Sequence, residues 1–227
     1  MTTTRKRALL ALLLLTPAPS LGTLGGMWLF PGLFGQIIYG LCKVWLLGFP
    51  LIWLYFVEHK SWSSSPPRQG GLGMGVLLGL LMGGIIVGIY GVFGRDAVDT
   101  EHLREMAHRN GFGTAMLYLG LAFYLTLINS LLEEYVWRWF VFRRSEELLS
   151  ARSAVALSAL LFTVHHTVAL LVQFGWGVTL AASVGVFVSG LVWSGCYVRY
   201  RSIWPGYLSH ILADAAIFLV GWWLIFG

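Results

Sequence analysis

The sequence predicts an all-α fold: a polytopic membrane helix bundle of about seven transmembrane helices, with six to eight as the range. Three observations carry that expectation. The 227 residues are 57% hydrophobic and only 11% charged, whereas soluble domains run at roughly 45–50% apolar and about 25% charged. Mean hydropathy is +0.75, and the apolar residues are gathered into seven runs separated by polar or Gly/Pro-rich breaks. Crossing about 30 Å of hydrocarbon takes roughly 20 apolar residues per helix, so seven runs with short loops use nearly the whole chain.

The runs fall at 8–25, 33–57, 72–94, 113–142, 152–173, 176–198 and 203–226. The first follows Arg5-Lys6-Arg7 and is broken by Pro17 and Pro19, which also fits the charged start and short apolar core of a signal peptide. No clear small-x-small cleavage site follows, and apolar character resumes at Leu21, so an uncleaved, bent first helix is the expectation. Ser61 to Pro67 reads as a linker between spans. The third run carries Gly71, Gly75, Gly79 and Gly83 at four-residue spacing, a stripe that lets a neighbouring helix approach its backbone closely. Trp193, Tyr197, Tyr200, Trp204 and Tyr207 cluster near the junction of the last two runs, where they fit an aromatic belt at the membrane interface.

Orientation follows from the distribution of Lys and Arg. With the N-terminus cytoplasmic, the inner segments hold Arg5, Lys6, Arg7, Lys60, Arg68, Arg143, Arg144, Arg152, Arg199 and Arg201, while the outer loops hold only Arg95, Arg104 and Arg109 beside Asp96, Asp99, Glu101 and Glu105. That asymmetry predicts a cytoplasmic N-terminus and an external C-terminus for seven spans. The net charge of +5 is spread over loops rather than gathered in one patch, so no nucleic-acid partner is expected. Cys42 and Cys196 lie in separate runs without metal-ligand spacing and read as packing residues.

Against this background the ionisable residues inside spans stand out: Lys43, Glu133, Glu134, Arg138, His165, His166, His210 and Asp214. Each central Asp, Lys or Arg costs about 2.5–3.5 kcal/mol on insertion scales, so a group of them points to a polar cavity or an ion-pair network that fixes helix register. Glu134 and Arg138 are four apart and share a helix face, whereas Glu133 points about 100° away and has no such partner. One carboxylate is thus expected to be a structural anion, the other a candidate general base. His210 and Asp214 also share a face. Depths counted at about 1.5 Å per residue from the inner helix ends overlap, so Glu133, His166, His210 and Asp214 could converge in the inner half of the membrane. Lys43 has no partner in its own helix; it could contact a substrate carboxylate, pair with the acidic cluster or snorkel. There is no HExxH zinc motif and no paired aspartate, and Ser209 beside His210 points elsewhere on its helix.

Three motifs in order give these residues a familiar spacing. Glu133-Glu134-Tyr135-Val136-Trp137-Arg138 fits EExxxR, Phe162 with His166 fits FxxxH, and His210 with Asp214 fits HxxxN/D. In this the chain resembles the CPBP family, the intramembrane endopeptidases related to CAAX prenyl proteases and bacteriocin-processing proteins, over roughly residues 113–227. The resemblance implies that Glu133 activates water for attack on a peptide carbonyl, that His166 and His210 assist, that Asp214 completes the site, and that Glu134 and Arg138 support it. It selects His166 of the doubled pair and leaves His165 as a packing or supporting histidine. The family has been described both as metal-dependent and as a metal-free glutamic type, so a divalent metal such as zinc, held by His166, His210 and Glu133, and no cofactor at all both stay open.

These readings lead to an intramembrane endopeptidase in protein or peptide maturation. The expected division is residues 1–112 as N-terminal transmembrane helices and 113–227 as the catalytic core. Membrane lipid and a protein or peptide substrate are the expected partners, and the bacterial inner membrane the expected location. The competing reading is a non-hydrolytic transporter, using Glu133, His166 and Asp214 as a proton relay, or a chaperone-like scaffold that keeps the cluster. No internal repeat of the kind transporters carry is evident.

Overall fold

The computed structural model describes residues 2–30, 32–94 and 98–227; Met1, Pro31, Arg95, Asp96 and Ala97 lie outside the described residues, and with them two of the outer-loop charges, Arg95 and Asp96. The described chain is all α, with eight helices and no β-sheet. Seven are long and apolar enough to cross a membrane: α1 (Thr3–Gly26), α2 (Leu33–Val57), α3 (Leu72–Gly94), α5 (Ala115–Leu148), α6 (Ala151–Gln173), α7 (Trp176–Tyr200) and α8 (Trp204–Phe226). The eighth, α4 (Thr100–Arg109), is short and polar. By composition that stretch reads as a polar outer loop. Its signal was nonetheless present, since Asp99 caps the helix by accepting from the His102 N–H at 3.0 Å, and His108 and Arg109 close its last turn.

Local chemistry sets the helix ends. In α1 the helix pauses at Thr16 and Pro17, where the Thr16 hydroxyl donates to the Leu12 carbonyl, and it resumes at Ala18. Proline lacks the N–H that would continue the ladder, so the interruption falls at Pro17. Gly71 precedes α3 with φ at +92°, a left-handed conformation that costs glycine least. Ser150 caps α6 through the Ser153 N–H. α5 runs to Leu148, beyond the apolar run that ends at Phe142. Its last turn carries Arg143, Arg144, Glu146 and Glu147: hydropathy stops there, but backbone hydrogen bonding does not.

Polar contacts sort the loops into two ends of the bundle. At one, Arg5 donates to the Leu148 carbonyl and Arg7 to the Val57 carbonyl, while Arg201 makes two bonds to Glu146 at 2.6 and 3.0 Å and Arg144 pairs with Glu58. The 61–67 linker docks there too, with the Ser202 hydroxyl donating to the Ser65 carbonyl and the Ile203 N–H to the Ser65 hydroxyl. At the other end Arg104 donates to the carbonyls of Ile225 and Gly227. The basic loops therefore share one end.

α3 lies along α8 and α6 along α7. The glycine stripe makes the first of these pairs close: a Cβ on Gly75 would collide with the Pro205 backbone, and one on Gly79 would sit 2.7 Å from Leu212. Gly79→Leu is expected to cost about 1–3 kcal/mol through overpacking and to lower the thermal unfolding temperature in detergent. Gly88→Leu, which meets open space, should leave it unchanged.

Candidate active site

α5 owes its role to irregular winding. Tyr124–Asn129 and Glu134–Phe142 are π-helical, with a single α turn, Ser130–Glu133, between them. Such wide turns free backbone groups and re-aim side chains, and they recur at functional sites. Every residue from Glu134 to Phe142 is buried, which places this part of α5 in the middle of the bundle. It rests on α6, where the Ser158 hydroxyl donates to the Trp137 carbonyl, and on α2, whose Leu47 carbonyl accepts from Tyr135.

The two glutamates face different surroundings. Glu134 is fully buried, 3.2 Å from Arg138 Nη1 and 3.2 Å from His210 Nδ1. Arg138 is buried as well, its guanidinium 4.6 Å from the Phe162 ring and 5.1 Å from the Trp193 ring. Gly206 makes room for the carboxylate, since a Cβ there would lie 2.6 Å from Glu134 Oε2. Glu133 keeps 13% of its side chain exposed, and that difference decides which carboxylate can meet water. It lies 3.5 Å from His210 Nε2 and 3.8 Å from His166 Nε2, one histidine on either side.

His210 is held on three sides. Its Nδ1 faces Glu134, an acceptor, so the ring hydrogen belongs there and Nε2 is turned to Glu133 and to Asp214, 3.7 Å away. Trp193 stacks on the imidazole at 3.8 Å and 19°, and it donates to the Ser209 hydroxyl. Trp193 is therefore not part of an interfacial belt, as its position in the sequence suggested. It is buried, as is Tyr197, which packs on Phe142. A tryptophan inside a span reads the same whether it faces headgroups or a buried ring, because the neighbouring helix is not in the pattern. His166 Nδ1 meets the Phe162 carbonyl at 3.0 Å, which turns Nε2 toward Glu133.

Further polar groups join the cluster. The Ser130 hydroxyl lies 2.6 Å from Asp214 Oδ2. Asn129 donates to Glu133 Oε1 at 2.8 Å and accepts from Lys43 Nζ at 3.3 Å. Neither Asn129 nor Ser130 was singled out in the sequence; Asn129, four residues before Glu133, offered the same spacing signal as Glu134 and Arg138. All the sequence-selected residues thus gather in one region, from α2, α5, α6 and α8. His165 is there too, its Nδ1 buried without a hydrogen-bond partner among the described residues and its ring 4.9 Å from that of His166.

Glu133, His165, His166, His210, Asp214 and Lys43 line one cavity of about 480 Å³. It continues past Tyr124, Gln173 and Phe218 toward the end where α4 lies. Further along α5 toward the basic end, Trp137, Trp139 and Phe140 are buried. Among the described residues one group has the spacing of metal ligands, Glu133, His165 and His166, whose donor atoms lie within 4.8 Å of one another. A single divalent ion fits that donor set. It contains His165 and not His210, unlike the set that motif spacing suggested.

Such a set of a carboxylate between two imidazoles, on the wall of a cavity inside a membrane bundle, can take a proton from water while the imidazole nitrogens that face it help to hold that water for attack. Comparison with known proteins agrees with this chemistry. Residues 115–216, just under half of the chain, match the Rce1-like family, described as type II CAAX prenyl endopeptidase Rce1-like. No curated protein and no solved structure gives a significant match. The matched stretch holds all three motifs, Glu133 to Asp214. The chain thus contains a CPBP/Rce1-like domain of the type II CAAX protease family, with a partly buried Glu-His-His cluster consistent with the active site of a glutamic-type intramembrane protease.

Proposed function

We propose that the protein is an intramembrane endopeptidase acting in protein or peptide maturation, with Glu133 as general base. The observation that carries this reading is the position of the Glu133 carboxylate, 3.8 Å from His166 and 3.5 Å from His210, where it reaches the cavity while Glu134 does not. Water held against Glu133 gives up a proton to the carboxylate as its oxygen attacks the scissile carbonyl. His166 and His210 assist from either side: with the ring hydrogens on Nδ1, at the Phe162 carbonyl and Glu134, their Nε2 atoms accept from the attacking water and hold it beside Glu133. Glu133 then returns the proton to the leaving amine as the C–N bond breaks, which regenerates the base. Asp214 orients His210 and is itself oriented by Ser130. A divalent ion bound at the cluster would be held by Glu133, His165 and His166 and would supply Lewis-acid activation of water.

Residues 113–227 are proposed as the catalytic core, with residues 1–112 packed on it and contributing Lys43. The chain is an integral membrane helix bundle by its seven apolar helices. We assign it to the bacterial inner membrane with the N-terminus inside, because the basic loops share one end. The cavity then opens toward the outer side. Membrane lipid and a protein or peptide substrate are the partners this reading requires.

The test is cleavage of candidate peptides and membrane proteins by the purified protein in lipid nanodiscs, with products mapped by mass spectrometry and compared with Glu133→Gln. Cleavage by neither form across a broad substrate set overturns the reading in favour of a transporter or scaffold, and cleavage by both alike removes Glu133 as the base. In the same assay His165→Ala is expected to keep a substantial part of the activity and a chelator to have no effect. Loss of activity in both, restored by a divalent ion, would instead make His165 a ligand.

A further inference from the structure

A third side chain besides the two histidines meets Glu133, that of Asn129, and it is held from behind. Lys43 Nζ donates to Asn129 Oδ1 at 3.3 Å, and Asn129 Nδ2 donates to Glu133 Oε1 at 2.8 Å. An amide has two ends of opposite character, and only one orientation presents its N–H₂ group to a carboxylate. The Lys43 ammonium, a donor only, fixes that orientation by occupying the oxygen end. We infer that Lys43 and Asn129 are positioning residues for the proposed base, a relay from α2 to α5 that aims the Glu133 carboxylate into the cavity; this rests on the reading of Glu133 as general base.

The relay accounts for two features that the motifs leave aside. It gives a lysine inside a span a polar partner at membrane depth, where an unpaired ammonium is costly. It also makes the N-terminal helices part of the site, since α2 lies outside the matched domain. Because Lys43 acts through Asn129, its removal should impair orientation of the base rather than substrate binding.

Lys43→Met and Asn129→Leu are each expected to lower kcat about tenfold or more, the effect of losing a hydrogen bond to a charged group, with KM little changed. Lys43→Arg should restore most of the rate. The double variant should be no slower than Asn129→Leu alone, since the two residues act in series. A second readout is independent of proteolysis: the infrared carboxylate stretch of Glu133, isolated with ¹³C-glutamate by subtracting the Glu133→Gln spectrum. That band should shift in Asn129→Leu, shift the same way in Lys43→Met, and stay in place in Lys43→Arg. Additive rate losses with a raised KM would make Lys43 a substrate contact and overturn the relay, as would a band unmoved by Lys43→Met. If wild type cleaves nothing while the band shifts as expected, the relay stands and the protease reading falls.

Discussion

Glu133→Gln is expected to leave a folded protein whose cleavage rate is lower by about 10²–10⁴-fold, the range that general-base catalysis supplies, and by more where water activation is lost altogether. The fold survives because glutamine has the same shape and its amide oxygen can still accept from Asn129, which donates to Oε1 at 2.8 Å in the wild type. What disappears is the ability to take a proton. Thermal unfolding in detergent should therefore differ little from wild type, while product formation falls to background. Glu134→Gln is the informative contrast. That carboxylate pairs with Arg138 and faces His210 Nδ1, so its loss should disturb stability as well as rate. A Glu133→Gln enzyme that cleaves a verified substrate at the wild-type rate would falsify the mechanism.

The contrast between the two glutamates also marks how far sequence reasoning reaches. Spacing alone separated Glu134, with Arg138 one turn on, from Glu133, which lacked such a partner, because same-face contacts four residues apart are set by helix geometry. The pair meets at 3.2 Å even though the backbone there is π-helical. The seven spans were legible for a similar reason: hydrocarbon thickness imposes a length that apolar runs must fill. The glycine stripe on α3 likewise announced a close neighbour, though not that the neighbour is α8.

What the sequence did not disclose depends on contacts between helices. Trp193 looks interfacial by position, and only the approach of α8 places His210 against its ring. Asn129 carries no motif, and its importance depends on a lysine 86 residues earlier. His165 and His166 are adjacent, so a spacing rule can select one, yet both reach the cavity and both fall within ligand distance of Glu133. The π-helical turns of α5 were hidden for another reason. Apart from Glu134 and Arg138, residues 134–142 are entirely apolar or aromatic, so no polar face reports the winding.

Arg138→Ala is expected to have the second large effect, on folding before catalysis. The guanidinium is buried, paired with Glu134 and enclosed by the rings of Phe162 and Trp193 at 4.6 and 5.1 Å. Truncation leaves Glu134 as a buried charge without its cation and opens a void between two aromatic rings. Removing one member of such a pair costs about 3–5 kcal/mol, a large share of the roughly 5–15 kcal/mol that holds a domain together. The yield of folded, monodisperse protein should drop, and activity should drop with it. Arg138→Met combined with Glu134→Gln removes both charges while keeping much of the volume, and glutamine still offers an oxygen to His210 Nδ1. That double variant should unfold at a higher temperature than Arg138→Ala. Recovery of folded protein without recovery of cleavage would show that the Glu134 charge also serves His210 during turnover. An abundant, well-folded and inactive Arg138→Ala would instead place the guanidinium itself in the reaction and remove the structural role assigned to it.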